Sequence, residues 1–218
     1  MDRDVFIARV ARATLGSVLP ETPPADHGLP PGEPSDDLLS LFRSRARAVN
    51  AVVHGPVSRH GVPRIVVGIA AGHDAARFVA WDHLPASGVI SALTAAGLDR
   101  LDHTVGADDR LERNLAYRDL DLGVTGSLAG LAESGSVVLS HGEGRPRMAS
   151  IAPEVHIAIL EVAGISRTLA HWARENPDSA ANTTNLVLVT GPSRTGDIEQ
   201  TLNLGVHGPR HVHIVMVR

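Results

Sequence analysis

The chain contains no cysteine. That absence excludes disulfides, a thiolate nucleophile, and any cysteine-ligated zinc or iron–sulfur centre held by this chain itself. Lysine is missing too, so all 20 basic residues are arginine. Without a lysine amine there is no Schiff base, hence no pyridoxal phosphate catalysis, and no P-loop lysine. The bias as such reads as the mark of a genome rich in G and C. Aromatic residues amount to only 3%, so aliphatic side chains must build the core, which suits helix-on-sheet layers. No stretch approaches the roughly 20 apolar residues of a membrane-crossing helix. The charged start (Asp2, Arg3, Asp4, Arg9) is not followed by the apolar segment of a secretion signal. A cytoplasmic location, away from membranes, is the expectation. The formal net charge of −4, without a basic face, argues against a nucleic-acid partner.

What is present divides the 218 residues into an N-terminal segment, residues 1–34, and a main domain, residues 35–218. Val5 to Val18 reads as a short helix with Phe6, Val10 and Ala13 on one face. Leu19 to Pro34 carries proline at a density that permits neither helix nor central strand, and reads as a linker. Ser35 and Asp36 resemble a helix N-cap, followed by a stripe of Leu38, Leu41, Phe42 and Ala46. Strands are expected at Ala51–Val53, Ala76–Trp81, Asp121–Thr125, His156–Val162, Asn185–Thr190 and His211–Val217. Helices are expected from Val62, over Ser87–Ala96, over Ser166–Arg174, and over Asp197–Leu204. Asn185–Thr190, continuously apolar, reads as a buried strand. Ala129–Ser140 reads as a β-hairpin turning at Glu133-Ser134-Gly135. The alternation of strand and helix predicts an α/β fold with a mostly parallel sheet flanked by helices.

Chemistry is expected in two places. Thr190-Gly-Pro-Ser-Arg-Thr-Gly-Asp197 stands between a strand and an expected helix, where backbone N–H groups and the side chains of Ser193, Arg194 and Thr195 suit an anion. A plain strand–helix turn with a Ser193 or Thr195 cap accounts for the same residues. Gly123-Val-Thr-Gly-Ser127 and Glu133-Ser-Gly-Ser136 supply small residues that let a ligand approach the backbone, and a carboxylate suited to act as base or nucleophile, or simply an exposed turn glutamate. His211 and His213 share one strand face. That spacing suits two metal ligands or a hydrogen-bonded strand pair, and no metal is assigned.

The run Thr190-Gly-Pro-Ser-Arg-Thr-Gly-Asp-Ile-Glu-Gln-Thr-Leu-Asn-Leu-Gly-Val-His-Gly-Pro209 resembles the C-terminal signature of the lactate utilization protein C family, the LUD domain. Gly123-Val-Thr-Gly-Ser-Leu-Ala-Gly-Leu-Ala-Glu-Ser-Gly-Ser136 is similar to its central motif. The resemblance implies the fold shared by ribose-5-phosphate isomerase, glucosamine-6-phosphate deaminase and CoA transferases (NagB/RpiA/CoA transferase-like), here with a β-hairpin insertion and an N-terminal helical arm. It also implies a role beside iron–sulfur proteins that oxidise L-lactate to pyruvate. No cofactor held within this chain is expected, but the subunit would bind a small anionic metabolite or cofactor at strand ends. The expected ligand-binding set is Thr125, Gly126, Ser127, Gly135, Ser136, Thr190, Gly191, Ser193, Arg194, Thr195, Asp197 and His207, with Glu133 as the catalytic candidate. The alternative is a free-standing transferase or isomerase using Glu133. A homo-oligomer is compatible with either.

Overall fold

The computed structural model describes residues 3–14, 37–104, 109–179, 183–196, 202–204 and 208–218. The chain forms two compact units, Met1–Pro31 and Gly32–Arg218. In the first, helix α1 spans Arg3–Thr14, with Asp4 in its first turn and Arg12 in its last, the polarity that the helix dipole favours. The expected proline-rich linker lies outside the described residues.

In the second unit, α2 spans Leu38–Ala48. Its cap is Asp37, whose carboxylate accepts from the Ser40 backbone N–H at 3.0 Å; the expected cap residues Ser35 and Asp36 lie outside the described residues. Then follow β1 (Val52–Val57), α3 (Val62–Gly72), β2 (Arg77–Ala80), α4 (Val89–Ala95), β3 (Asp99–Arg100), α5 (Arg110–Ala116) and β4 (Leu122–Gly126). After these come β5 (Ala129–Leu131), β6 (Ser136–His141), β7 (Val155–Glu161), β8 (Ile165–Ser166) and α6 (Leu169–Glu175). The chain closes with β9 (Asn185–Val189), β10 (Arg194–Gly196), β11 (Leu202–Leu204) and β12 (His211–Val217).

Six strands form one sheet in the order β1-β12-β7-β4-β2-β3, and every pairing in it is parallel. Central strands of such a sheet are covered on both faces and read as apolar runs. β7 shows why. Its Ile157 and Ile159 join α3 and α4 in one core (Val66, Ile69, Val89, Leu93), whereas Ala158 and Leu160 point the other way, toward Phe42 and Ala46 of α2. β12 alternates likewise, with Ile214 and Met216 on the α2 side and Val215 and Val217 on the α3 side. Each fully buried side chain of Leu or Phe size contributes about 1.5–3 kcal/mol.

A second sheet, ordered β8-β5-β6-β9, lies beyond the α2-side core. Its other face, through Ala129, Leu131 and Val138, packs on Trp172 of α6. β5 and β6 are the expected hairpin, antiparallel with Ala129 opposite Val138. Two expectations give way here. Asn185–Val189 is not a buried strand of the parallel sheet. It pairs antiparallel with β6 at an edge of the second sheet, so one side stays open and Leu188 is 40% exposed. The expected helix over Asp197–Leu204 is contradicted at its end, where β11 pairs antiparallel with β10, Arg194 opposite Leu204. Leu202 and Leu204 alternate around Asn203 with the two-residue period of a strand; residues 197–201 lie outside the described set.

Candidate functional site

The hairpin turn between β5 and β6 is where the sequence placed Glu133. Gly135 has φ +67°, and a Cβ there would lie 2.3 Å from the Ala46 backbone nitrogen. Only glycine both turns the chain left-handed and lets the turn seat on α2. The seated turn presents Glu133, Ser134 and Ser136 to a cleft of about 460 Å³, which also takes in Thr168 and Thr190. Leu131, Leu169 and Leu188 form its apolar walls.

A row of hydroxyls runs through this cleft. Ser134 Oγ lies 2.7 Å from Ser136 Oγ, and Ser136 Oγ lies 2.8 Å from Thr190 Oγ1. Ser136 is 2% exposed, so its hydroxyl depends on these partners rather than on water. Thr168 Oγ1 is 2.7 Å from His171 Nδ1 and accepts from the His171 backbone N–H, capping α6. The Glu133 carboxylate faces the Arg167 guanidinium at 3.8 Å, and its backbone N–H donates to the Arg167 carbonyl. Chemically the cleft offers rotatable hydroxyl donors and one carboxylate beside leucine walls, with the Arg167 guanidinium next to that carboxylate. It suits a small polar molecule with a short apolar part.

The structure therefore brings Glu133, Ser136 and Thr190 together across 54 residues of sequence. The rest of the expected set goes elsewhere. Thr125 is completely buried, with Oγ1 2.9 Å from His156 Nε2, which leaves it no surface to offer a ligand. Gly126 and Ser127 lie at the carboxyl end of β4. Gly126 abuts Pro85 and Trp81, and Ser127 Oγ donates to the Ile159 carbonyl. Gly191, at φ +73°, packs on the carbonyl of Val49, leaving no room for a Cβ, and Arg194 donates to that same carbonyl at 3.2 Å. The Ser193 N–H donates to the Pro209 carbonyl. Thr195 belongs to β10 through its backbone, while its side chain, Asp197 and His207 lie outside the described residues. Arg194–Gly196 and Leu202–Leu204 are strands, so among the described residues between Thr190 and Leu204 no helix offers its N-terminus to an anion.

The carboxyl edge of the parallel sheet holds groups that sequence reasoning missed. Arg59, just after β1, donates to the Glu161 carboxylate at the end of β7 and to the Pro85 carbonyl. Asp82, just after β2, takes a bond from Arg100 at 3.0 Å and pairs with His103 Nε2. Burial pushes the Asp82 carboxyl up, but His103 and Arg100 outweigh it and hold the group below the usual carboxylate range. A cleft of about 470 Å³ opens beside it, with His83, Ser87 and Ser91 in its wall. The rule that ligands favour strand carboxyl ends marks this edge in principle, but single Arg, Asp and His residues in loops gave no pattern to find it by.

The all-parallel, helix-flanked six-stranded sheet defines an α/β protein. The LUD domain family profile matches residues 39–217, and the chain belongs to that family. A crystal structure of a DUF162 family protein from Deinococcus radiodurans superposes with a TM-score of 0.61 at 20% identity, over 83% of this chain and 96% of that one. Among sequence relatives, an uncharacterised protein of Neisseria meningitidis serogroup B is 33% identical over 103 residues, 46% of this chain and 44% of that protein. Lactate utilization protein C of Halalkalibacterium halodurans is 29% identical over 192 residues, covering 84% of this chain and 80% of the relative. A protein of the same name from an Exiguobacterium species is 33% identical over 132 residues, 59% of this chain and 57% of the relative.

Proposed function

We propose that this chain serves lactate utilization as a non-redox accessory subunit that binds a small anionic metabolite in the cleft of Glu133, Ser136 and Thr190. The reading rests on the family and on relatives named lactate utilization protein C. The observation that carries the binding part is the contact of Ser136 Oγ with Thr190 Oγ1 at 2.8 Å. Two distant family-like runs meet there beside the Glu133–Arg167 pair. A carboxylate or phosphate would take its bonds from the hydroxyls and from Arg167, and the leucine walls would hold a short carbon skeleton. The family resemblance is what suggests iron–sulfur proteins as partners, and a chain without cysteine would hold no cysteine-ligated cluster itself.

The test is affinity purification of the tagged chain from cells grown on L-lactate, together with deletion of its gene. Co-purifying iron–sulfur proteins and lost growth on lactate are expected. A solitary protein and unchanged growth would overturn the accessory role. The second reading, a free-standing transferase or isomerase, draws on the Glu133 carboxylate lining the cleft. It predicts turnover by the isolated chain that Glu133→Gln abolishes.

A further inference from the structure

Four histidines gather on the opposite side of the parallel sheet from α2. His211 and His213 point from β12 toward the α3 side, as the strand alternation requires. His54 comes from the adjacent β1, and His73 caps the C-terminus of α3. His213 is 7% exposed, and each of its ring nitrogens meets another imidazole. Its Nδ1 lies 3.0 Å from His54 Nε2, and its Nε2 lies 3.0 Å from His73 Nε2. The His211 ring lies beside that of His73, centroids 4.6 Å apart.

Hydrogen bonds alone can satisfy this row, because a neutral imidazole has one donor and one acceptor. The row is nonetheless more specific than core filling demands. His54, His73 and His213 line a cleft of about 390 Å³, and a Cβ on Gly68 or Gly72 of α3 would meet nothing within 4 Å. Rings bonded to one another thus border open space.

We infer that His73 Nε2 and His213 Nε2 form the core of a binding site for a borderline divalent cation such as Zn²⁺, with His54 as the outer partner that orients His213. At metal–nitrogen bonds of about 2.0–2.1 Å, tetrahedral ligand atoms stand about 3.4 Å apart, so the 3.0 Å pair must open by only a few tenths of an ångström. The cation takes the place of the hydrogen between the two Nε2 atoms, which His73 carries on Nδ1 instead by changing tautomer. His213 then keeps its hydrogen on Nδ1 and donates to His54, the outer hydrogen bond that metal-binding histidines characteristically make. Among the described residues no three His, Asp or Glu side chains already surround one point. The third ligand is therefore His211, whose exposed ring turns about its side-chain torsions, and water completes the shell. Glu154 and Asp74 face His73 and favour a positive ion there.

The experiment is calorimetric titration of the full chain with Zn²⁺ near neutral pH, alongside thermal unfolding with and without the ion. Wild type is expected to bind one ion at this site and to unfold at higher temperature with it. His73→Gln, at the half-exposed end of α3, should lose this site while keeping the wild-type circular dichroism spectrum. His211→Gln and His54→Phe should each weaken binding about tenfold or more, and the exposed His60→Gln should bind as wild type. If wild type takes up no Zn²⁺, or if His73→Gln and His211→Gln bind as wild type does, the inference is wrong.

Discussion

Lowering the pH from about 8 to about 5 asks His156 to take up a proton in a place that cannot accommodate it. The side chain is completely buried. Its Nε2 is bonded to Thr125 Oγ1, and its Nδ1 is buried without a partner. Burial, with a smaller contribution from nearby His141, lowers its pKa from 6.5 to about 3. In the unfolded chain it protonates near 6.5, so between about pH 6.5 and 3 the unfolded state binds the extra proton and stability falls as the pH falls. At pH 5, about 1.5 units below the unfolded value, the loss from this residue is about 2 kcal/mol. His213, lowered to about 4, chiefly by burial, adds loss of the same sign. Asp37, Asp82 and Asp102, all held below the usual carboxylate range, stay ionised in this window and leave the slope to the histidines. The assay is urea denaturation at pH 8 and pH 5 for wild type and His156→Gln, whose amide can still bond Thr125 but does not titrate. The variant should start less stable at pH 8 and lose about 2 kcal/mol less on acidification. Equal losses in the two proteins would refute the reasoning.

Ser136→Ala removes a buried hydroxyl shared with Ser134 and Thr190 and should cost about 1–2 kcal/mol by chemical denaturation; combined with Thr190→Val the loss should be less than additive, since one bond is counted in both. Gly123→Ala should abolish folding or nearly so, because its Cβ would lie 1.8 Å from the Ala149 carbonyl oxygen; soluble expression and circular dichroism check it. Gly68→Ala, inside α3 and facing open space, should instead stabilise by about 0.5–1 kcal/mol, read as a raised Tm. Phe42→Ala, at 0% exposure between α2 and the parallel sheet, should cost about 3–5 kcal/mol in the same denaturation assay.

The parallel sheet was legible because its strands are long apolar runs whose two faces are both filled, as β7 and β12 show. The hairpin at Glu133–Gly135 was legible because a positive φ calls for glycine, and Gly135 supplies it. β9 misled for a reason of the same kind: an apolar run of four residues, Leu186 to Val189, fits a central strand, yet it is satisfied at a sheet edge when one side packs on Trp172 and its neighbours. Leu202–Leu204 is too short for its two-residue alternation to outweigh a helix pattern begun upstream. Of the expected site residues, Glu133, Ser136 and Thr190 line one cleft. Ser136 and Thr190 meet, because β6 and β9 are paired strands. Thr125, on β4 of the other sheet, turns into the core instead. The histidine row was invisible beyond His211 and His213, since His54 and His73 come from elements that only the fold brings together.

The most direct test of the proposed role is complementation. A strain lacking the gene is given either wild type or the double variant Glu133→Gln/Thr190→Val, with thermal unfolding used to confirm that the variant is folded, and growth rate on L-lactate as sole carbon source is measured. Restored growth with wild type and none with the folded variant is the predicted result. Equal growth with both would contradict the assignment of that role to this cleft.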